Sequence, residues 1–174
     1  EDNQGHVLVV DADEQFVRRM THALRRLGLQ TIGAPDPAGA VDVLGAFPWS
    51  LVLVGEPGGD VTGEVFLCTL RRVVPRLRVA LVVEAPSRLI DDRIRGVGGL
   101  GAISRMAGPG VLSRLVDEAT DDRDGPSVVT LNAEDANALS DRTASGLHPA
   151  YIAASRIAVD GFRKAVRSSQ LSVP

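Results

Sequence analysis

Leu51-Val52-Leu53-Val54-Gly55-Glu56-Pro57-Gly58-Gly59-Asp60-Val61-Thr62-Gly63 is the stretch that decides how the 174-residue chain is read. Its four leading apolar residues form a short unbroken run, the pattern of a strand covered on both faces. The glycine- and proline-rich residues after them make a loop. From 61 to 73 apolar residues return at helical spacing, through Phe66, Leu67 and Leu70. Strand, loop and helix in this order are the unit from which parallel sheets are built.

Working outward, the same unit recurs. Short apolar runs fall at 6–10, 29–32, 79–83 and 102–103, and each is followed by a helical pattern. Phe16, Met20, Leu24 and Leu27 follow the first run, with Gly28 as a stop. Asp36-Pro37 supplies a cap and a first-turn proline for a helix through Val41 and Leu44. Residues 87–95 and 109–119 read as the last two helices. Five units in strict alternation require right-handed crossovers, so the expected fold is α/β: a doubly wound five-stranded parallel sheet, flavodoxin-like, in strand order 2-1-3-4-5. Ligands of such folds sit beyond the carboxyl ends of the strands, which directs attention to the residue after each apolar run.

Composition narrows the classes. Apolar residues make up 44% and aromatic residues only 3%, so the core is built from Val, Leu, Ile and Ala. A net charge of -3 and a pI near 5.6 leave no general basic footprint for nucleic acid. Cys68 is the only cysteine, which excludes a disulfide framework and a cysteine zinc site, and it is expected to be a buried structural thiol. No apolar run approaches the roughly 20 residues of a membrane span, and Glu1-Asp2-Asn3-Gln4 lacks the basic start of a signal peptide; the expected location is cytoplasmic.

Residues 5–120 are expected to form the sheet domain, 121–127 a charged linker, and 128–174 a helical extension of two helices. Asn132 is placed to cap the first, through about 145, and Pro149 to open the second. In the second, Ile152, Val159 and Val166 repeat every seven residues with Phe162 beside them, while Arg156, Asp160, Arg163 and Arg167 define another face. Such a stripe wants a partner surface, either in a homodimer or in another protein.

The run His6 to Val10 ending in Asp11, the 51–63 stretch with Gly63 eight positions after Gly55, and the run ends at Glu84-Ala85 and Arg105-Met106 together resemble the receiver domain of two-component response regulators, over roughly residues 5–120. That family moves a phosphoryl group from a phosphohistidine to an aspartate. It uses a magnesium ion held largely by carboxylates, a hydroxyl residue and a lysine on the phosphoryl oxygens, and an aromatic switch residue. Matched position by position, the resemblance puts the acidic pair at Asp11 and Ala12, with Asp13 following, the phosphoacceptor at Gly55, the hydroxyl at Glu84, the lysine at Arg105 and the switch at Ala102.

Only Asp11 keeps its family identity. A glycine has no side chain with which to form an acyl phosphate, and loss of ligands at Ala12 and Gly55 leaves too few oxygens for magnesium. The resemblance therefore implies a degenerate pocket, in a pseudo-receiver with no catalytic residues, metal or cofactor. Asp13 is expected to cap the first helix and Glu56 to face away from the pocket. Arg105 is expected to bridge Asp11 and Glu84 through its planar fork of donors, the competing reading being three loosely solvated side chains. The function implied is that of a non-phosphorylatable pseudo-receiver in a bacterial phosphorelay pathway, an interaction or oligomerisation module rather than an enzyme. The competing reading is an atypical response regulator in transcription, with DNA bound by the basic tail or by a further output domain, and a third is a small ligand in the altered pocket, reported by Trp49 just ahead of the third strand.

Two other signals are set aside. Gly96-Val97-Gly98-Gly99-Leu100-Gly101 spells the dinucleotide glycine pattern, but it follows a helix and leads into a strand, the reverse of what a pyrophosphate site needs. His6, His22 and His148 are scattered without ligand spacing.

Overall fold

Each branched aliphatic run becomes a strand in the computed structural model, which describes residues 5–58, 61–121, 123 and 126–144. The elements follow in the order β1 (His6–Val10), α1 (Glu14–Arg26), β2 (Gln30–Ala34), α2 (Pro37–Leu44), β3 (Trp49–Val54), α3 (Gly63–Val73), β4 (Val79–Val83), α4 (Arg88–Gly96), β5 (Ala102–Ser104), α5 (Pro109–Thr120) and α6 (Ala133–Ala144). The five strands form one parallel sheet in the order β2-β1-β3-β4-β5, the order expected for the flavodoxin-like architecture.

Alternate residues of each strand point to opposite faces, and both faces are covered. Val7, Val9, Leu51, Leu53, Ala80 and Val82 pack against Phe16, Met20 and Leu24 of α1 and Leu112 and Leu115 of α5. Leu8, Val10, Val52, Val54 and Val79 face Val41 and Leu44 of α2, Phe66, Leu67 and Leu70 of α3, and Ile94 of α4. Burial on both sides is why the runs read as continuous rather than alternating.

Local chemistry sets the helix ends. The Asp13 side chain accepts from the backbone N–H groups of Gln15 and Phe16, Asp36 from Gly39, Thr62 from Val65 and Ser87 from Ile90. Gly28, at φ +83°, closes α1, its N–H donating to the Arg25 carbonyl while Leu29 reaches back to Leu24. Gly98 and Gly101 also have positive φ, at +84° and +100°, so the glycine pattern there builds the turn from α4 into β5.

Three details differ from expectation. β3 starts at Trp49 rather than Leu51, because the indole is fully buried and donates its N–H to the Leu44 carbonyl at 2.9 Å. Trp49 thus lies at the opposite end of β3 from Gly55, about 20 Å away for six strand residues, and does not report on the pocket. Cys68 is half-buried on α3 rather than enclosed in the core.

The first helix of the extension lies against the domain itself. α6 begins where expected, with Asn132 Oδ1 accepting from the Asp135 N–H at 2.7 Å, and it packs across α2 and α3. Val129 and Trp49 exchange two backbone hydrogen bonds of 2.7 Å as an isolated antiparallel bridge. Val129, Leu131 and Leu139 join the same core cluster as Trp49 and Leu70. The second helix expected for the extension, with Ile152, Val159, Phe162 and Val166, lies outside the described residues.

Candidate functional site

β1 delivers Asp11 to the carboxyl end of the sheet, and the strands on either side fix it there. The Asp11 N–H donates to the Ala34 carbonyl at 3.0 Å, Ala12 to Glu56 at 2.9 Å, and Gly55 to Val10 at 2.9 Å. The Asp11 side chain is 1% exposed, so a charge there needs every lone pair answered. Its Oδ1 accepts from the Asp13 N–H at 2.8 Å and from Arg105 Nη2 at 3.3 Å. Its Oδ2 accepts from the Glu56 N–H at 2.8 Å and from Arg105 Nη1 at 2.6 Å. Two backbone amides and a two-pronged guanidinium saturate the carboxylate.

Arg105 reaches this position from the end of β5, where its N–H continues the β4–β5 ladder to the Val83 carbonyl at 2.9 Å. The guanidinium is 8% exposed and lies 4.0 Å from the centroid of the Phe16 ring, so it is stacked as well as paired. Asp13 Oδ2 approaches it at 3.5 Å and Glu84 Oε1 at 3.4 Å. The bridge from Asp11 to Glu84 is present in geometry, but its arms are unequal. The Glu84 side chain is 83% exposed and its contact long, so it adds little beside Asp11. The Asp11 hydrogen bond raises the affinity of Arg105 for its proton above that of an ordinary guanidinium. Helix capping, with the N–H of Phe16 as the largest cause, holds the Asp13 carboxyl below the usual range.

Gly55 makes the arrangement possible. A Cβ built there would collide with Asp11 Oδ2 and lie 3.3 Å from Arg105 Nη1. A Cβ at Gly63 would collide with the Gly55 carbonyl, so the eight-residue spacing marks the close packing of α3 against the end of β3. The space that a side chain at 55 needs is filled by the Asp11–Arg105 pair.

Magnesium does not fit this donor set. It asks for oxygen ligands in near-octahedral array, yet the one buried carboxylate of the site already accepts four hydrogen bonds, two of them from the Arg105 cation. Asp13 spends Oδ1 on the α1 cap. Among the described residues no group of three side chains suited to holding a metal occurs. Two cavities border the ion pair, one on the Arg105 side and one on the Asp11 side. One of about 220 Å³ is lined by Phe16, Arg19, Met20, Arg105 and Leu112, and one of about 370 Å³ by Asp11, Val17, Gly33 and Pro35.

Ala102, which the sequence resemblance matches to the switch position, is half-buried, and its N–H donates to Asp91 Oδ1 at 2.9 Å. Asp91 also pairs with Arg95 at 3.0 Å, and Arg95 reaches Glu118 at 2.9 Å, so α4, β5 and α5 are joined by one polar chain. Sequence reasoning assembled Asp11, Glu84, Arg105 and Gly55 but missed Phe16 as the platform under the guanidinium and Asp13 as its third carboxylate. The helical phase of Phe16 marked it only as a core residue, although it lies five positions after Asp11.

The five-stranded sheet with its flanking helices has counterparts among solved structures. The chain is similar to a response regulator receiver domain protein from Methanospirillum hungatei JF-1, at 18% identity and TM-score 0.57, covering 67% of this chain and 96% of that one. It is likewise similar to the chemotaxis protein CheY4 of Vibrio cholerae, at 17% identity and TM-score 0.59 over 67% and 98% of the two chains. The receiver domain of the Francisella response regulator 1452 gives 16% and 0.60 over 67% and 96%. The fold is that of a response-regulator receiver domain. No protein-family model matches the chain, and no curated protein matches it. The receiver fold accounts for the five strand-helix units, and α6 is an addition to it. Among the described residues no helix is long and apolar enough to cross a membrane.

Proposed function

We propose that this receiver fold works as a non-phosphorylatable interaction module in signal transduction, a pseudo-receiver that holds one conformation and acts through protein contact rather than through chemistry. The observation that carries the reading is the Asp11–Arg105 pair closed over Gly55, which removes the acceptor, occupies the carboxylate and puts a fixed cation where a metal and a phosphoryl group would have to enter. A receiver switches by changing charge in this pocket, and here the two buried charges, Asp11 and Arg105, are already paired with each other. The polar chain from Ala102 through Asp91 and Arg95 to Glu118 supports the same reading, because it ties together the elements next to the switch position. A partner in the signalling pathway, or a second copy reached through Ile152, Val159, Phe162 and Val166, is then what the module binds.

The test is incubation with acetyl phosphate and Mg²⁺, read by intact-protein mass spectrometry beside a phosphorylatable receiver. The expected result is no phosphoryl adduct. An adduct released by hydroxylamine, the behaviour of an acyl phosphate, overturns the reading.

A further inference from the structure

We propose that the cavity between α1 and α5 is a binding site for a small aromatic monocarboxylate, an aryl ring with a short acid arm. The site lies beside the Asp11–Arg105 pair rather than within it, and it stands whether or not the chain accepts phosphate.

The cavity combines an apolar floor with a cationic mouth. Its volume is about 220 Å³. An apolar cavity of about 150 Å³ already holds benzene, so a ring with a short acid arm fits. Phe16, Met20 and Leu112, each at most 4% exposed, form the floor, and Ala23 and Ala107 leave room between them. Met106 stands at the mouth, 74% exposed, the most exposed large apolar side chain among the described residues. An uncovered methionine beside buried apolar side chains is surface that a ring would cover, and thioether sulfur makes favourable contacts with aromatic rings. Both methionines of the chain line this one cavity.

The charges decide the sign of the ligand. Arg19 and Arg105 line the cavity, and no acid among the described residues does. Arg105 is taken up by Asp11, at 2.6 and 3.3 Å. Arg19 is not: its guanidinium lies 6.0 Å from the centroid of the Phe16 ring, the ring on which Arg105 stacks at 4.0 Å, and it has no hydrogen bond or ion pair among the described residues. Its charge is only the weakest of the influences on the nearby Asp13 carboxyl. An unpaired guanidinium at the edge of an apolar cavity recognises a carboxylate through its planar fork of donors. An inorganic anion leaves the apolar floor uncovered, and a neutral apolar molecule leaves Arg19 without a counter-charge. Apolar walls with one or two placed polar groups are the usual form of a small-molecule site.

The test is a titration of phenylacetate into the full chain labelled with ¹³C at the methionine methyls, followed by NMR at neutral pH. The Met20 and Met106 signals, assigned with Met20→Leu and Met106→Leu, are both expected to shift and to saturate. Phenylacetamide, which keeps the ring and the shape without the charge, and inorganic phosphate are each expected to bind about tenfold more weakly or worse, the loss of a charged hydrogen-bonded contact. Arg19→Gln, at an exposed position without bonded partners, is expected to keep the wild-type spectrum and to lose about tenfold or more in affinity, with Arg19→Lys recovering part of it. Either methionine signal staying in place, shifts that do not saturate, or an affinity that the amide, phosphate or Arg19→Gln matches, overturns the proposal.

Discussion

At the scale of the residue, the pocket shows how a missing side chain can be as specific as a present one. Gly55 leaves room for the Asp11 carboxylate and one prong of Arg105, and Phe16 supplies the face on which the guanidinium lies. Gly55→Ala is therefore expected to destabilise the protein by about 1–3 kcal/mol, the usual cost of forcing atoms into a filled site, read by urea unfolding. Gly55→Asp forces a larger, charged group into the same filled site and is expected to cost more than Gly55→Ala in that assay; a variant as stable as the wild type would show that the pair opens readily. Arg105→Lys keeps the charge but loses the fork and the stacked plane, and is expected to cost about 1–3 kcal/mol in the same assay. The pairing of Asp11 with Arg105 was legible in the sequence because both follow apolar runs that end at one edge of the sheet. Phe16 was not, because periodicity tells which face of a helix is buried and not which buried ring meets a charge.

At the scale of the element, two attachments invite measurement. Asp91 ties α4 to β5 through the Ala102 N–H, and that hydrogen bond, with help from Arg95, keeps its carboxyl below the ordinary value of 3.8. A depressed folded-state value means that the stabilisation is complete above about pH 4 and is lost as pH falls through the lower folded value. Melting temperatures from pH 5 downward are expected to fall less steeply for Asp91→Asn than for the wild type, and parallel curves would contradict the assignment. The second attachment is α6. Leu139→Ala removes its 0% exposed anchor and is expected to cost about 2–5 kcal/mol, with Trp49 emission moving to the red as the groove loosens. Unchanged emission and stability would contradict the packing described. The signal for α6 was present in α2, whose only charged residue within Pro37–Leu44 is Asp42, but the need for a cover was not drawn from it. Sequence pattern shows that a helix lacks a polar face and leaves open which distant segment supplies the cover.

At the scale of the whole molecule, the parallel sheet followed from alternation and handedness, and its strand order from the fit of about 120 residues to the flavodoxin-like architecture. What the sequence left undetermined is long-range: where the segment after α5 returns, and how unevenly Arg105 shares itself among Asp11, Asp13 and Glu84. Both depend on which loops meet in space, which no local period encodes. The central claim is that the Asp11–Arg105 pair is a structural clamp joining the ends of β1 and β5, and a double-mutant cycle on that clamp tests it most directly. Arg105→Ala strands a buried carboxylate and is expected to cost about 3–5 kcal/mol in urea unfolding, Asp11→Ala strands the guanidinium, and the double variant, which strands neither, is expected to lose far less than the sum. A coupling of about 1.5 kcal/mol or more is the result this account predicts; single losses that simply add, with coupling within about 0.5 kcal/mol of zero, would contradict it.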